Sequence, residues 1–138
     1  QGHRCAGCGR KIKKEFFRPG FRECFYTHGL YCRDCHSGKR ATIPARTLWF
    51  WDMEEYPVCD RAQSFLESIH ERPILCASAV NPLLYRYCPA VAHQRLLRVQ
   101  LCRMREFVLT CPQREELMAL FKDNSYYMED SEMLSVAD

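Results

Sequence analysis

The pattern of apolar and polar positions changes character about a third of the way along the 138-residue chain. Beyond residue 46 it follows a helical period. Over 60–71, Ala62, Phe65, Leu66 and Ile69 fall on one face, and Pro73 ends the run. Val80-Asn-Pro82 to Tyr87 predicts a short helix with proline in its first turn, ended by Pro89. The longest helix is expected over 90–109. There Leu97, Leu101, Met104 and Val108 recur at helical spacing beside Leu96, while Arg95, Arg98, Arg103 and Arg105 line much of the rest. Thr110-Cys-Pro112 reads as the cap of a further helix to Phe121, with Glu115 and Glu116 near its N-terminus. Residues 124–128 predict irregular backbone, and Ser135-Val-Ala-Asp138 has the form of a helix opening with serine as N-cap.

Before residue 46 the pattern is different. Phe21-Arg-Glu-Cys-Phe-Tyr26 and Leu30-Tyr-Cys32 read as two short aromatic strands around the turn Thr27-His-Gly29. Trp49, Phe50 and Trp51 form an aromatic knot just beyond. Their expected role is to fasten the N-terminal part to the helices, with one indole buried and the other exposed. No repeat of 20–50 residues is present.

Cysteine content changes the picture most. There are ten, at positions 5, 8, 24, 32, 35, 59, 76, 88, 102 and 111. An even number in a small chain is compatible with a disulfide scaffold. The spacing favours metal instead. Cys5-x2-Cys8 and Cys32-x2-Cys35 are two C-x2-C pairs at the separation of a structural zinc site, in which two such turns aim four sulfurs at one tetrahedral centre. A thioredoxin-like redox pair would need a βαβ context that the flanks do not offer. Cys5, Cys8, Cys32 and Cys35 are therefore the expected zinc ligands. Gly9, after the second cysteine, suits the open turn of a zinc knuckle, and Cys32 to His36 should open a short helical turn. Knuckle, hairpin and helix start together make a treble clef. About 40 residues bury too little apolar surface to fold alone, so the metal must supply folding free energy. Cys24 and His36 are left over. Cys24 fits a small core beside Phe16 and Phe25, and His36 fits a hydrogen bond that orients a thiolate. The alternative is that both belong to a second metal site. The remaining five cysteines sit singly and read as small buried hydrophobes.

Charge is divided. Residues 1–46 carry 11 Lys or Arg against 3 Asp or Glu, and residues 47–138 carry 9 against 14. Arg10, Lys11, Lys13, Lys14 and Arg18 could meet a phosphate, in nucleic acid or a lipid headgroup. A solvated basic face that balances zinc thiolates is the plainer reading. No apolar run approaches the roughly 18–20 residues of a membrane span. The N-terminus has neither an apolar signal segment nor an initiator methionine, and the chain is expected to be a piece of a longer protein. Catalytic signatures are missing. There is no His-Glu-x-x-His, no G-x-S-x-G and no glycine-rich phosphate loop, and neither C-x2-C follows a proline as a zinc deaminase requires. Two C-x2-C pairs also close the coordination that a catalytic zinc keeps open.

Ordered along the chain, Cys5-Ala-Gly-Cys8-Gly9, Cys24-x7-Cys32-x2-Cys35-His36, Ile43-Pro-Ala-Arg46 and Trp51-Asp52 resemble the opening of the Rubicon-homology domain. The likeness continues through Tyr56-Pro-Val58, Ala62, Phe65-Leu66, Pro73, Val80-Asn81, Leu84-Tyr85, the 96–101 helix and Ser135-Val-Ala-Asp138. In that family the domain runs on into further cysteine-rich zinc clusters, so the resemblance is to its N-terminal half. It implies a mainly α fold with a small zinc-binding treble-clef β-hairpin module, residues 1–46, followed by a helical part of the same domain, 47–138. It also implies a non-catalytic adaptor that binds a GTP-loaded late-endosomal Rab GTPase in endosome–lysosome or autophagosome traffic. Such a protein would be cytoplasmic and peripheral on those membranes, with a structural zinc at Cys5, Cys8, Cys32 and Cys35. The alternative function is a zinc-dependent phosphoinositide- or nucleic-acid-binding module using the basic N-terminal stretch; nucleic acid is the less favoured ligand.

Overall fold

The computed structural model describes residues 4–12 and 20–138. Lys13, Lys14, Phe16 and Arg18, given roles above, lie outside the described residues. The chain divides into two compact units, Gln1–His70 and Glu71–Asp138. Its architecture is mixed. Among the described residues, helices alternate with small antiparallel strand pairs, so the expectation of a mainly helical chain needs widening.

In the first unit, β1 (Arg22–Glu23) pairs with β2 (Leu30–Tyr31), and β3 (Arg40–Thr42) with β4 (Glu55–Pro57). Between β3 and β4 runs α1 (Pro44–Phe50), with proline in its first turn. It ends at Trp51, which takes a left-handed conformation (φ 54°) that a tryptophan adopts only under constraint. The constraint is visible. Arg46 pairs with Asp52 at 2.9 Å, Tyr56 donates to the same carboxylate at 2.6 Å, and the Arg46 guanidinium lies 4.1 Å from the Tyr56 ring centre. This cluster spans residue 46 and joins α1 to the β3–β4 ladder. Next, α2 (Asp60–Ile69) turns Ala62, Leu66 and Ile69 inward onto Cys5, Cys24, Tyr31, Val58 and Cys59. Phe65, expected on that face, is 46% exposed and lies 5.9 Å from the Tyr26 ring instead. Both tryptophans of the aromatic knot are exposed, Trp49 at 55% and Trp51 at 40%, so neither indole acts as a fastener.

The second unit is built on α5 (Pro89–Thr110), which packs with α4 (Leu84–Tyr87), α6 (Arg114–Ala119) and a 3-10 turn, Ser125–Met128. A two-residue ladder joins β5 (Leu75–Cys76) to β6 (Met133–Leu134). The helix expected over 80–87 is divided. α3 (Ala77–Val80) stops before Asn81, whose backbone is extended (ψ 86°), as a residue preceding proline prefers. The helical structure resumes only at Leu84.

The long helix has the expected extent but buries a different face. Val91, Arg98 and Val108 are buried, whereas Leu96, Leu97 and Met104 are each about half exposed. Arg98 turns the helix. It pairs with Asp138 at 2.9 Å, donates to the Met133 carbonyl, and stacks 4.1 Å over the Tyr127 ring. Ser135 and Asp138 exchange hydrogen bonds, amide to carboxylate and amide to hydroxyl, at 2.6 and 3.2 Å. This is the reciprocal geometry of a helix capping box. No helix among the described residues is long and apolar enough to cross a membrane.

Candidate metal centre

The two C-x2-C turns meet. The sulfurs of Cys5, Cys8, Cys32 and Cys35 all lie within 4.8 Å of one another. The first turn is closed by the Cys5 amide donating to the Arg10 carbonyl and by the Gly9 amide donating to the Cys5 carbonyl, both at 2.9 Å. Gly9 has φ 73°, where a side chain would be strained. Gly7 is required for another reason: a Cβ there would stand 3.1 Å from the Cys35 sulfur. The turn is fixed to β2 by the Ala6 amide, which donates to the Leu30 carbonyl at 2.9 Å. The second pair follows β2 directly. Residues 33–35 form a turn, not the helix start expected there, closed by the Cys35 amide on the Cys32 carbonyl at 3.1 Å.

Donor geometry fits a tetrahedral thiolate centre. With Zn–S near 2.3 Å, the edge of a regular tetrahedron is about 3.8 Å, and Cys8 and Cys32 are 3.8 Å apart. Backbone amides face the sulfurs: Gly7 and Cys32 donate to Cys5 Sγ at 3.4 and 3.3 Å. Cys5 and Cys8 illustrate how such contacts act. Burial pushes the Cys5 thiol up, but the Cys32, Cys8 and Gly7 amides together outweigh it and hold the thiol at about 6. The Arg10 amide and guanidinium lower Cys8, the latter donating to its sulfur at 3.4 Å. Cys35 goes the other way. Its hydrogen bond with Cys32, then burial, then the other two sulfurs push it to about 12. Four adjacent thiolates repel without a cation between them, and a bound metal removes that conflict.

The residues left over resolve differently. His36 is fully buried, and its ring bonds to backbone groups. Its Nδ1 accepts from the Gly38 amide at 3.2 Å, which leaves the proton on Nε2 to donate to the Glu23 carbonyl at 3.1 Å. Both ring nitrogens are thus committed to the backbone, and the expected thiolate-orienting bond is replaced by a staple from β1 to the second cysteine turn. Cys24 is fully buried in the core. Cys59 and Cys88 are buried as expected, whereas Cys76, Cys102 and Cys111 are only half-buried. Of the basic stretch, Arg10 is engaged by Asp34 at 3.0 Å and by Cys8.

The Rubicon Homology Domain family matches residues 22–138, a span that includes Cys24, Cys32 and Cys35. The chain is 33% identical over 140 residues to pleckstrin homology domain-containing family M member 3 of Xenopus laevis, covering 100% of this chain and 18% of that protein. It is 32% identical over 139 residues to the Run domain Beclin-1-interacting and cysteine-rich domain-containing protein of Mus musculus, covering 100% of this chain and 14% of that protein. It therefore spans less than a fifth of the length of either relative.

Proposed function

The chain belongs to the Rubicon homology domain family, and on that premise we propose that it is a non-catalytic adaptor module, stabilised by a structural zinc, that binds a GTP-loaded late-endosomal Rab GTPase. The zinc is held by Cys5, Cys8, Cys32 and Cys35, with residues 1–46 as its treble-clef-like module. The module acts in endosome–lysosome or autophagosome traffic, cytoplasmic and peripheral on those membranes. Family membership carries this reading. The four converging sulfurs support its zinc.

The surface offered to the GTPase is the outer side of α5. Leu96, Leu97, Met104 and Phe107 share one side of that helix and are 55, 46, 53 and 77% exposed. Exposed apolar side chains on one side of a helix suit a switch region that the γ-phosphate has ordered. Capture of Rab loaded with GTP but not GDP, lost in Phe107→Glu with folding intact, is the expected outcome. Equal capture of the two nucleotide states refutes the reading. The competing anionic-ligand reading rests on the basic N-terminal stretch. It predicts binding to phosphoinositide vesicles that falls steeply with added salt.

A further inference from the structure

Trp51 is kept at the surface in a conformation that does not favour it. It follows α1 at φ 54° and is 40% exposed. Left-handed helix ends are usually taken by glycine or asparagine, which adopt that backbone readily. Neither deep burial nor backbone preference therefore accounts for an indole here. The Arg46–Asp52–Tyr56 cluster fixes the chain before and after it. Strain that the surroundings maintain in this way points to a use for the side chain.

Trp51 lines an open cleft of about 560 Å³ together with Arg40, Asp52, Met53, Glu54 and Glu55. The apolar part is exposed, Met53 at 54%, with Trp49 at 55% and Phe50 at 75% on the adjoining end of α1. The charge is mainly negative. Arg46 and Tyr56 engage the Asp52 carboxylate, whereas the Glu54 and Glu55 side chains are exposed. Arg40 is the cation of the lining, and it donates to the Glu55 carbonyl. An indole beside two carboxylates suits a guanidinium or ammonium, which ring face and carboxylates both attract. The fold uses the same chemistry next to the cleft, where the Arg46 guanidinium lies 4.1 Å from the Tyr56 ring centre and pairs with Asp52. An anionic bilayer is the poorer match, because the two glutamates would meet a surface of their own sign.

We propose that this cleft docks a cationic segment of a partner protein. An Arg or Lys side chain of the segment is held by the Trp51 ring and the Glu54 and Glu55 carboxylates, and its apolar neighbours rest on Met53, Phe50 and Trp49. Tryptophan at such a contact supplies a large apolar face, and the carboxylates select the partner by its charge. Because the Arg46–Asp52–Tyr56 cluster fixes the platform beforehand, docking has little of this chain left to order. The cleft belongs to the first unit, so it is a docking surface additional to the one offered by α5.

The test is calorimetric titration of the full chain with capped nonapeptides in which leucine alternates with arginine, glutamine or glutamate. Emission from Trp49 and Trp51, the chain's two tryptophans, is a second readout. The arginine peptide should bind at least about tenfold more tightly than the glutamine peptide, and the glutamate peptide should not bind. Glu54→Gln with Glu55→Gln should remove most of that preference. Glu23→Gln with Glu71→Gln, which takes the same charge from exposed positions elsewhere, should keep it. Trp51→Gly should abolish binding with a thermal midpoint near that of the wild type, since glycine suits the left-handed backbone. If that variant fails to fold, the paired glutamate variant decides. Equal binding of the arginine and glutamine peptides, a preference that survives Glu54→Gln with Glu55→Gln, binding retained in folded Trp51→Gly, or an emission shift with phosphatidylserine vesicles that the arginine peptide does not produce overturns the proposal.

Discussion

Arg98→Met tests the organisation of the second unit. The Arg98 and Asp138 side chains are 3% and 5% exposed and 2.9 Å apart. Burial pushes the Asp138 carboxyl up, but hydrogen bonds from Tyr127, the Ser135 amide, Arg98 and Tyr126 bring it below its usual range. Methionine keeps much of the aliphatic stem and removes the charge, so the carboxylate is left buried without its cation. Breaking such a pair costs about 3–5 kcal/mol. Stacking over Tyr127 and the bond to the Met133 carbonyl are lost with it, but these effects overlap and do not add. Set against a typical domain stability of about 5–15 kcal/mol, the loss is large. Urea unfolding read by circular dichroism measures it. Arg103→Met, on the exposed side of the same helix, should change stability by no more than about 0.5 kcal/mol. If the stranded charge is the cause, adding Asp138→Leu to Arg98→Met recovers part of the loss. An Arg98→Met cost below about 1 kcal/mol, or no recovery in the double variant, refutes the reasoning.

Two further outcomes follow from the first unit. Gly7→Ala places a methyl 3.1 Å from the Cys35 sulfur and should weaken zinc retention under chelator competition while leaving the second unit's unfolding unchanged; undiminished retention counts against the close approach. The Tyr56 hydroxyl, the Glu54 amide and Arg46 together hold the Asp52 carboxyl below its ordinary value against opposing burial. Its contribution to stability is therefore complete above the unfolded value of about 3.9 and lost as pH falls through the lower folded value. Asp52→Asn should flatten that acid limb in a pH series of thermal melts, and an unchanged limb rejects the assignment.

What was legible in the sequence was what spacing encodes. The two C-x2-C pairs gave the four-cysteine cluster because a tight turn leaves two sulfurs little choice of direction. The extent of α5 was legible from its period and from Pro89, which suits a first helical turn. Its buried face was not, because an ion pair decides it. Apolar periodicity places Leu97 and Met104 inside, whereas Asp138 and the two tyrosines draw Arg98 there. Trp49 and Trp51 misled because an aromatic cluster reads as core, yet both are exposed, Trp49 on α1 and Trp51 at its left-handed end.

The account rests on a metal between four sulfurs. Zinc content of the purified chain, measured together with X-ray absorption at the zinc edge, tests it most directly. The expected result is about one zinc per chain in an all-sulfur shell near 2.3 Å, lost in Cys8→Ser. A metal-free chain with Cys5, Cys8, Cys32 and Cys35 in disulfides, or zinc retained undiminished in Cys8→Ser, contradicts it.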